Sequence, residues 1–317
     1  MTPPTSPAAP RIVVLGSLNM DLVLRVPHMP QPGETLLAHG MAHIPGGKGG
    51  NQAVSCARQG AATTLLSCTG RDAHGDTLLA ALAQDGIDTR HIARHPSEST
   101  GLAAISVDDS GQNQIIVVPG ANQHLDVPAA LLAPLLAGSA YVVLQFETPL
   151  AQVDRAIRVA RAQGCRVALN PSPMQALPAH WWPAIDLLVV NETEAAQLLG
   201  SPIASPAQAA AAAQQLHARG AAQVVITLGA DGALAADAQG ARLHQAARVQ
   251  AVDTTAAGDT FLGALVTQLA QGQGLDDATQ WAIRAAGLCV TRAGAQPSIP
   301  TRAEVDAHTQ ATAWSPL

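Results

Sequence analysis

The segment Asp253-Thr254-Thr255-Ala256-Ala257-Gly258-Asp259-Thr260-Phe261 carries the densest chemistry in the chain. Val249, Ala251 and Val252 read as a short strand before it. Phe261, Leu262, Ala264, Leu265, Val266 and Leu269 read as a buried helix after it. At such a junction the first helical N–H groups have no partner, and the helix dipole presents partial positive charge. The small side chains of Ala256, Ala257 and Gly258 leave those groups open to an anion. Asp259 stands in the same turn. Its carboxylate either caps the helix or acts as a general base beside a phosphate, and the turn alone supports both readings.

Four further groups could do chemistry. Asn19 and Asp21 are two residues apart, so on an extended chain they project to one side, an amide beside a carboxylate suited to vicinal hydroxyls. An Asx-rich turn is the plain alternative. Gly46-Gly47-Lys48-Gly49-Gly50-Asn51 surrounds one lysine with glycines; either backbone is pressed against a ligand that Lys48 or Asn51 reaches, or this is a flexible surface turn. It is not a Walker A loop, because Ala42 stands where the first glycine should be and Gly49 follows Lys48. Asn191 and Glu194 hold N-cap and capping-box positions, and Glu194 could also hold Mg²⁺ through water. Thr227-Leu228-Gly229-Ala230-Asp231-Gly232 reads as a hairpin, or as a loop approaching a nucleotide.

These groups need a scaffold, and the chain alternates strand and helix. Strands are expected at Ile12–Leu15, Ala140–Phe146, Arg166–Leu169, Asp186–Val190 and Gln223–Leu228. Helices are expected at Asn51–Gln59, Leu150–Gln163, Glu192–Leu199, Pro206–Arg219, 258–271, 276–292 and 301–309. Continuous apolar strands between helices predict an α/β fold, a mostly parallel central sheet with helices on both faces. Ligands of such sheets sit beyond the carboxyl ends of the strands. Leu22–Ile44 and Gly101–Val118 break the rhythm and predict a small separate sheet serving as a lid. The spans are a disordered tail over 1–10 and one domain over 11–317, with lid strands from about 20–45 and 98–120.

Composition removes other classes. Apolar residues make up 48% of the 317 and charged ones 13%, a globular composition. Net charge −6 without a basic cluster argues against nucleic acid. No apolar run approaches the roughly 18 residues that span a membrane. The Pro-rich start reads as a disordered tail rather than a signal peptide, and four scattered cysteines fit reduced thiols in the cytoplasm.

In order and spacing, G-S-x-N-x-D, G-G-K-G-x-N-Q-A, N-E-T-E, T-L-G and D-T-x-A-A-G-D-T-F resemble the PfkB carbohydrate kinases, and within them the ribokinase branch, from about Ile12 to Ser298. Connecting stretches such as Pro32-Gly33-Glu34-Thr35, Gly120-Ala121-Asn122 and Gly294-Ala295-Gln296-Pro297-Ser298 share the resemblance. It implies a ribokinase-like fold and ATP-dependent phosphorylation of D-ribose at its primary hydroxyl. Asn19, Asp21, Gly47, Lys48, Asn51 and Glu147 would hold the sugar. Asp259 would be the base, with the Ala256–Asp259 amides as anion hole. Asn191 and Glu194 would serve the Mg²⁺–phosphate region, and Thr227 to Gly232 would lie along ATP. Asp253, Thr255, Cys289, Arg292, Gly294 and Ser298 would hold K⁺, several through backbone carbonyls. Ile283 departs from the polar residue common near the adenine. The resemblance also implies a homodimer through the lid.

Other substrates remain in view: 2-deoxyribose, a ketohexose or a nucleoside. A nucleoside wants an aromatic face, and no Phe, Tyr or Trp precedes Tyr141, so a free pentose is the better fit. Trp181 and Trp182 read as packing residues. A non-catalytic sugar sensor would have lost Asp259 or Gly258, and a dinucleotide-dependent oxidoreductase would need G-x-G-x-x-G after a strand; this chain keeps the first pair and lacks the second.

Overall fold

The structure, a computed structural model, describes residues 8–308 and 314–316, so the tail expected over 1–10 falls mainly outside the described residues. β1 (Arg11–Leu15) leads into β2 (Asn19–Val26), β3 (Gly40–Gly46), α1 (Lys48–Arg58), β4 (Ala62–Gly70), α2 (Ala73–Gln84) and β5 (Ile92–His95). Next come β6 (Gly101–Asp108), β7 (Asn113–Val118), α3 (Ala129–Leu136), β8 (Tyr141–Leu144), α4 (Leu150–Gln163) and β9 (Arg166–Leu169). Then follow β10 (Leu187–Asn191), α5 (Glu192–Leu199), α6 (Pro206–Ala218), β11 (Gln223–Thr227), β12 (Ala233–Asp237) and β13 (Gly240–His244). The chain closes with α7 (Ala257–Ala270), α8 (Leu275–Cys289), α9 (Arg302–Ala307) and β14 (Trp314–Pro316).

The main sheet has the order β14-β13-β12-β11-β10-β9-β8-β1-β4-β5. Pairing is parallel from β5 across to β11 and antiparallel for β12, β13 and β14. β1 shows why its run is apolar throughout. Val13 and Leu15 join a core with Ile157 and Leu216 of α4 and α6, while Ile12 and Val14 join a second core with Val54, Leu78, Phe261 and Ile283. A strand with helices on both faces has no polar side to show. Trp181 and Trp182 are buried in the first core, as packing residues.

The two segments that break the rhythm form a four-stranded sheet of their own, ordered β3-β2-β6-β7. β6 and β7 join through the expected Asp108–Gly111 turn, where Asp108 Oδ1 accepts from the Ser110 and Gln112 amides. β7 is exposed along its whole length, with Ile116 71% accessible.

The strand expected at 249–252 does not form. Residues 245–253 join no ladder; Val252 is exposed, and the Val252 and Asp253 amides both donate to the Val290 carbonyl after α8. Three apolar residues in a run of four could not make a strand where no sheet edge receives them. The 253–261 turn is therefore carried by a loop anchored to α8, and it still reaches the carboxyl ends of the strands.

Candidate active site

Ala256, the N-cap of α7, has φ 60°, the only positive φ at a non-glycine residue among the described residues. Such strain costs on the order of 1–3 kcal/mol and persists where the surroundings enforce it. The Ala257 amide donates to the Thr254 carbonyl at 3.2 Å. The amides of Ala256, Gly258 and Asp259 make no hydrogen bond among the described residues. A Cβ on Gly258 would meet nothing within 4 Å, and Ala256, Gly258 and Asp259 all line a cavity.

Asp259 does not cap its helix, because α7 has no side-chain cap bond. Its two oxygens accept from α1 instead: Asn51 Nδ2 donates to Oδ2 at 3.0 Å and Gln52 Nε2 to Oδ1 at 2.8 Å. Two helices must nearly touch for this. Gly263 of α7 allows it, since a Cβ there would lie 2.4 Å from Ser55 Cβ. Ser55 Oγ then donates to the Thr260 carbonyl at 2.8 Å. Burial raises the Asp259 pKa, against the opposing pull of Lys48, Asn51 and Gln52.

The glycines around Lys48 are neither a surface turn nor simply a cradle for a ligand. A Cβ at Gly47 would lie 2.6 Å from Asn19 N, and one at Gly49 would lie 2.5 Å from the Gly16 and Ser17 backbone. A Cβ at Gly46 would collide with the Asp21 carboxylate. Their function in packing is to press the start of α1 against residues 16–21, which brings Lys48, Asn51, Asn19 and Asp21 together. Glu147 Oε2 closes the group, accepting from Ser17 Oγ at 2.5 Å and from the Lys48 amide at 3.1 Å. Asn19 and Asp21 are buried together at the start of β2. Asn122 donates Nδ2 to Asn19 Oδ1 at 2.8 Å, which turns the Asn19 amide nitrogen away from Asn122. Burial first, then Glu147 and Asp259, lifts Asp21 to about 7. Burial alone would lower Lys48, but Asp259, Glu147 and Glu194 outweigh it and hold its pKa above the usual lysine value.

Lys48, Asn191, Glu194, Thr227, Ala256, Ala257, Gly258 and Asp259 line one cavity of about 250 Å³. Asn170 and Thr254 line it too, and the sequence reading missed both. Asn191 and Thr227 sit at the carboxyl ends of β10 and β11, the expected place. The Asn191–Glu194 capping box forms, at 2.8 and 3.0 Å. Leu228 is buried, Gly229 to Asp231 are exposed, and Gly232 turns the chain into β12 beside His244; none of these lines the cavity. Ile283 is packed in the core rather than on the cavity wall.

The residues assigned to K⁺ gather separately. Asp253 Oδ1 accepts from Thr255 N and Oγ1 at 2.9 and 2.6 Å, and Oδ2 accepts from Gly294 N at 2.9 Å. Cys289 Sγ lies 3.0 Å from Ser298 Oγ. The Arg292 side chain turns away to pair with Glu304 at 2.7 Å. Among the described residues no cluster of His, Cys, Asp and Glu forms a metal site, and no helix is long and apolar enough to cross a membrane. All four cysteines are free and buried.

A doubly covered parallel sheet with a second small sheet, and a carboxylate beside unpaired helix-terminal amides in a cavity at the strand ends, define a phosphotransferase class of site. Residues 9–302 match the pfkB family of carbohydrate kinases, and the chain belongs to that family. It is an ATP-dependent sugar kinase. The ribokinase of Haemophilus influenzae is 43% identical over 92% of this chain and 96% of that relative. A deoxyribokinase of Salmonella typhi is 35% identical over 92% of this chain and 95% of its own length. The structure of Arabidopsis thaliana ribokinase complexed with ribose and ATP superposes with TM-score 0.88 at 32% identity, covering 95% of this chain and 98% of that one.

Proposed function

We propose that this enzyme phosphorylates D-ribose at its primary hydroxyl, giving D-ribose 5-phosphate and ADP. One observation carries the reading: the buried Asp259 carboxylate stands beside the unpaired amides of Ala256, Gly258 and Asp259 and the Lys48 ammonium, in one cavity. In-line phosphoryl transfer needs little more than positioning and charge stabilisation. On this reading Asp259 takes the proton of the attacking hydroxyl, and the free amides and Lys48 hold the charge that develops on the transferring phosphate. Asn19, Asp21, Gly47, Lys48, Asn51 and Glu147 hold the sugar. Asn51 Oδ1 supports this, being a buried acceptor without a partner that a sugar hydroxyl would satisfy. Asn19, with its oxygen engaged by Asn122, offers the sugar its N–H₂.

Asn191 and Thr227 hold the nucleotide, with the 228–232 turn beside it. Glu194 fits Mg²⁺, a hard oxygen ligand in the cavity whose capping bond uses only Oε2. Bound there, Mg²⁺ would neutralise phosphate charge. The loop carbonyls around Asp253, Thr255, Cys289, Arg292, Gly294 and Ser298 fit K⁺, with Asp253 bracing them through three hydrogen bonds. The second sheet serves as a lid, and its exposed apolar strand β7 as a homodimer contact. Four free thiols fit work in the cytoplasm. The deoxyribokinase relative favours 2-deoxyribose as a second reading. ADP release across ribose, 2-deoxyribose, fructose and adenosine, with K⁺ and Na⁺ compared and Mg²⁺ withdrawn, tests all of this. Turnover on ribose is expected to exceed the others; turnover confined to adenosine, or none, overturns the proposal.

A further inference from the structure

The amide that holds Asp259 Oδ1 is itself held by another. Gln52 Nε2 donates to Asp259 Oδ1 at 2.8 Å, and Gln145 Nε2 donates to Gln52 Oε1. Gln52 comes from α1 and Gln145 follows β8; both are 0% exposed. Gly16 makes room for the second amide, since a Cβ there would collide with Gln145 Oε1. We propose that Gln145 and Gln52 are positioning residues, an amide relay that pins Oδ1 of the base Asp259, so that Oδ2, held by Asn51, is the oxygen that takes the proton of the sugar hydroxyl. The proposal rests on the reading of Asp259 as the base.

The direction of the relay follows from donor and acceptor chemistry. An ionised carboxylate only accepts, so Gln52 must turn its N–H₂ toward Asp259. That leaves Gln52 Oε1 facing inward where water is excluded, and Gln145 supplies the N–H it needs. The relay ends at Gln145 Oε1, a buried acceptor with no partner. An apolar side chain at 145 would pack without that penalty, so core packing alone does not account for a glutamine there. Protonation of Oδ1 would force both amides to reverse. The relay therefore favours the charged base, acting with Lys48 of α1 and against burial. The other titratable groups facing Asp259 are Asp21 of β2, Glu147 after β8 and Cys289 of α8, and none is altered by the variants below.

The test compares wild type, Gln52→Met, Gln145→Met and Gln145→Glu by kcat and KM against pH, with melting temperatures. Wild-type turnover on a pentose is required first; without it the function reading fails, and the relay is not at issue. With Gln145→Met, kcat/KM below neutral pH is expected to fall about tenfold as its acid limb moves up by about one unit, while sugar KM changes little. Gln145→Glu presents only acceptors when ionised and turns the Gln52 amide around, so its acid limb moves further. Gln52→Met, which removes the donor to Asp259 outright, gives the same direction should either 145 variant fail to fold. An unmoved acid limb in folded variants, or an equal loss at every pH, overturns the relay.

Discussion

Replacing Asp259 with Asn separates proton transfer from everything else the residue does. Both carboxylate oxygens accept hydrogen bonds, from Asn51 at 3.0 Å and Gln52 at 2.8 Å. An amide keeps one acceptor and sets an N–H₂ against the other donor, a mismatch worth about 1–3 kcal/mol. Loss of a charge whose burial is unfavourable offsets part of that, so the melting temperature is expected to shift by only a few degrees. The chemical loss is larger. A positioned proton acceptor contributes about 10²–10⁴ in rate, or roughly 3–5 kcal/mol of barrier. ADP release at saturating ribose and MgATP should fall by that factor, with sugar KM nearly unchanged because the neighbouring amides and carboxylates remain. A folded variant with kcat within about tenfold of wild type would refute Asp259 as the base.

Other perturbations address the surrounding charges and surfaces. Gly258→Val places its side chain in open space, so the fold should stand while kcat/KM for ATP drops by about 10²; an unchanged value would remove the anion hole. Lys48→Met strips Asp259 of the opposing charge that holds its pKa down and should move the acid limb of kcat/KM upward, which a pH profile reads directly. Asp21 has a folded pKa of about 7 against 3.8, so its contribution to stability is best below pH 4 and is lost as pH rises through 7, by up to about 4 kcal/mol. Part of that belongs to the neighbouring carboxylates. Asp21→Asn should therefore melt above wild type by more at pH 8 than at pH 5, and an equal difference at both would contradict the shift. Ile116→Glu on the exposed β7 should yield monomer by light scattering if the second sheet joins two copies.

What the sequence disclosed follows from the range of the forces involved. The doubly covered sheet was legible because β1 from Ile12 on, β8, and β10 up to Val190 are continuous apolar runs, and helix ends such as Gly164 and Gly200 are local signals. The second sheet was legible because proline and glycine interrupt the helical period. The strand at 249–252 was misread because a short apolar run makes a strand only where a partner edge exists, and the edge is set elsewhere in the chain. The glycines of 46–50 stayed between two readings because their neighbours at 16–21 become neighbours only after folding.

The same argument explains why the turn at 253–261 left Asp259 ambiguous. Cap and base differ in which groups its oxygens meet, and those groups, Asn51 and Gln52, lie 208 and 207 residues away. Gln145 is further hidden, because its link to Asp259 runs through Gln52. Local spacing can nominate a carboxylate, but its partners decide how each oxygen is held, and here Oδ2 is held by Asn51, whose own Oδ1 is a buried acceptor without a partner. On the proposed reading, an oriented base beside an unsatisfied acceptor would bind and activate the same hydroxylated ligand, which makes positioning and recognition one property of the α1–α7 contact.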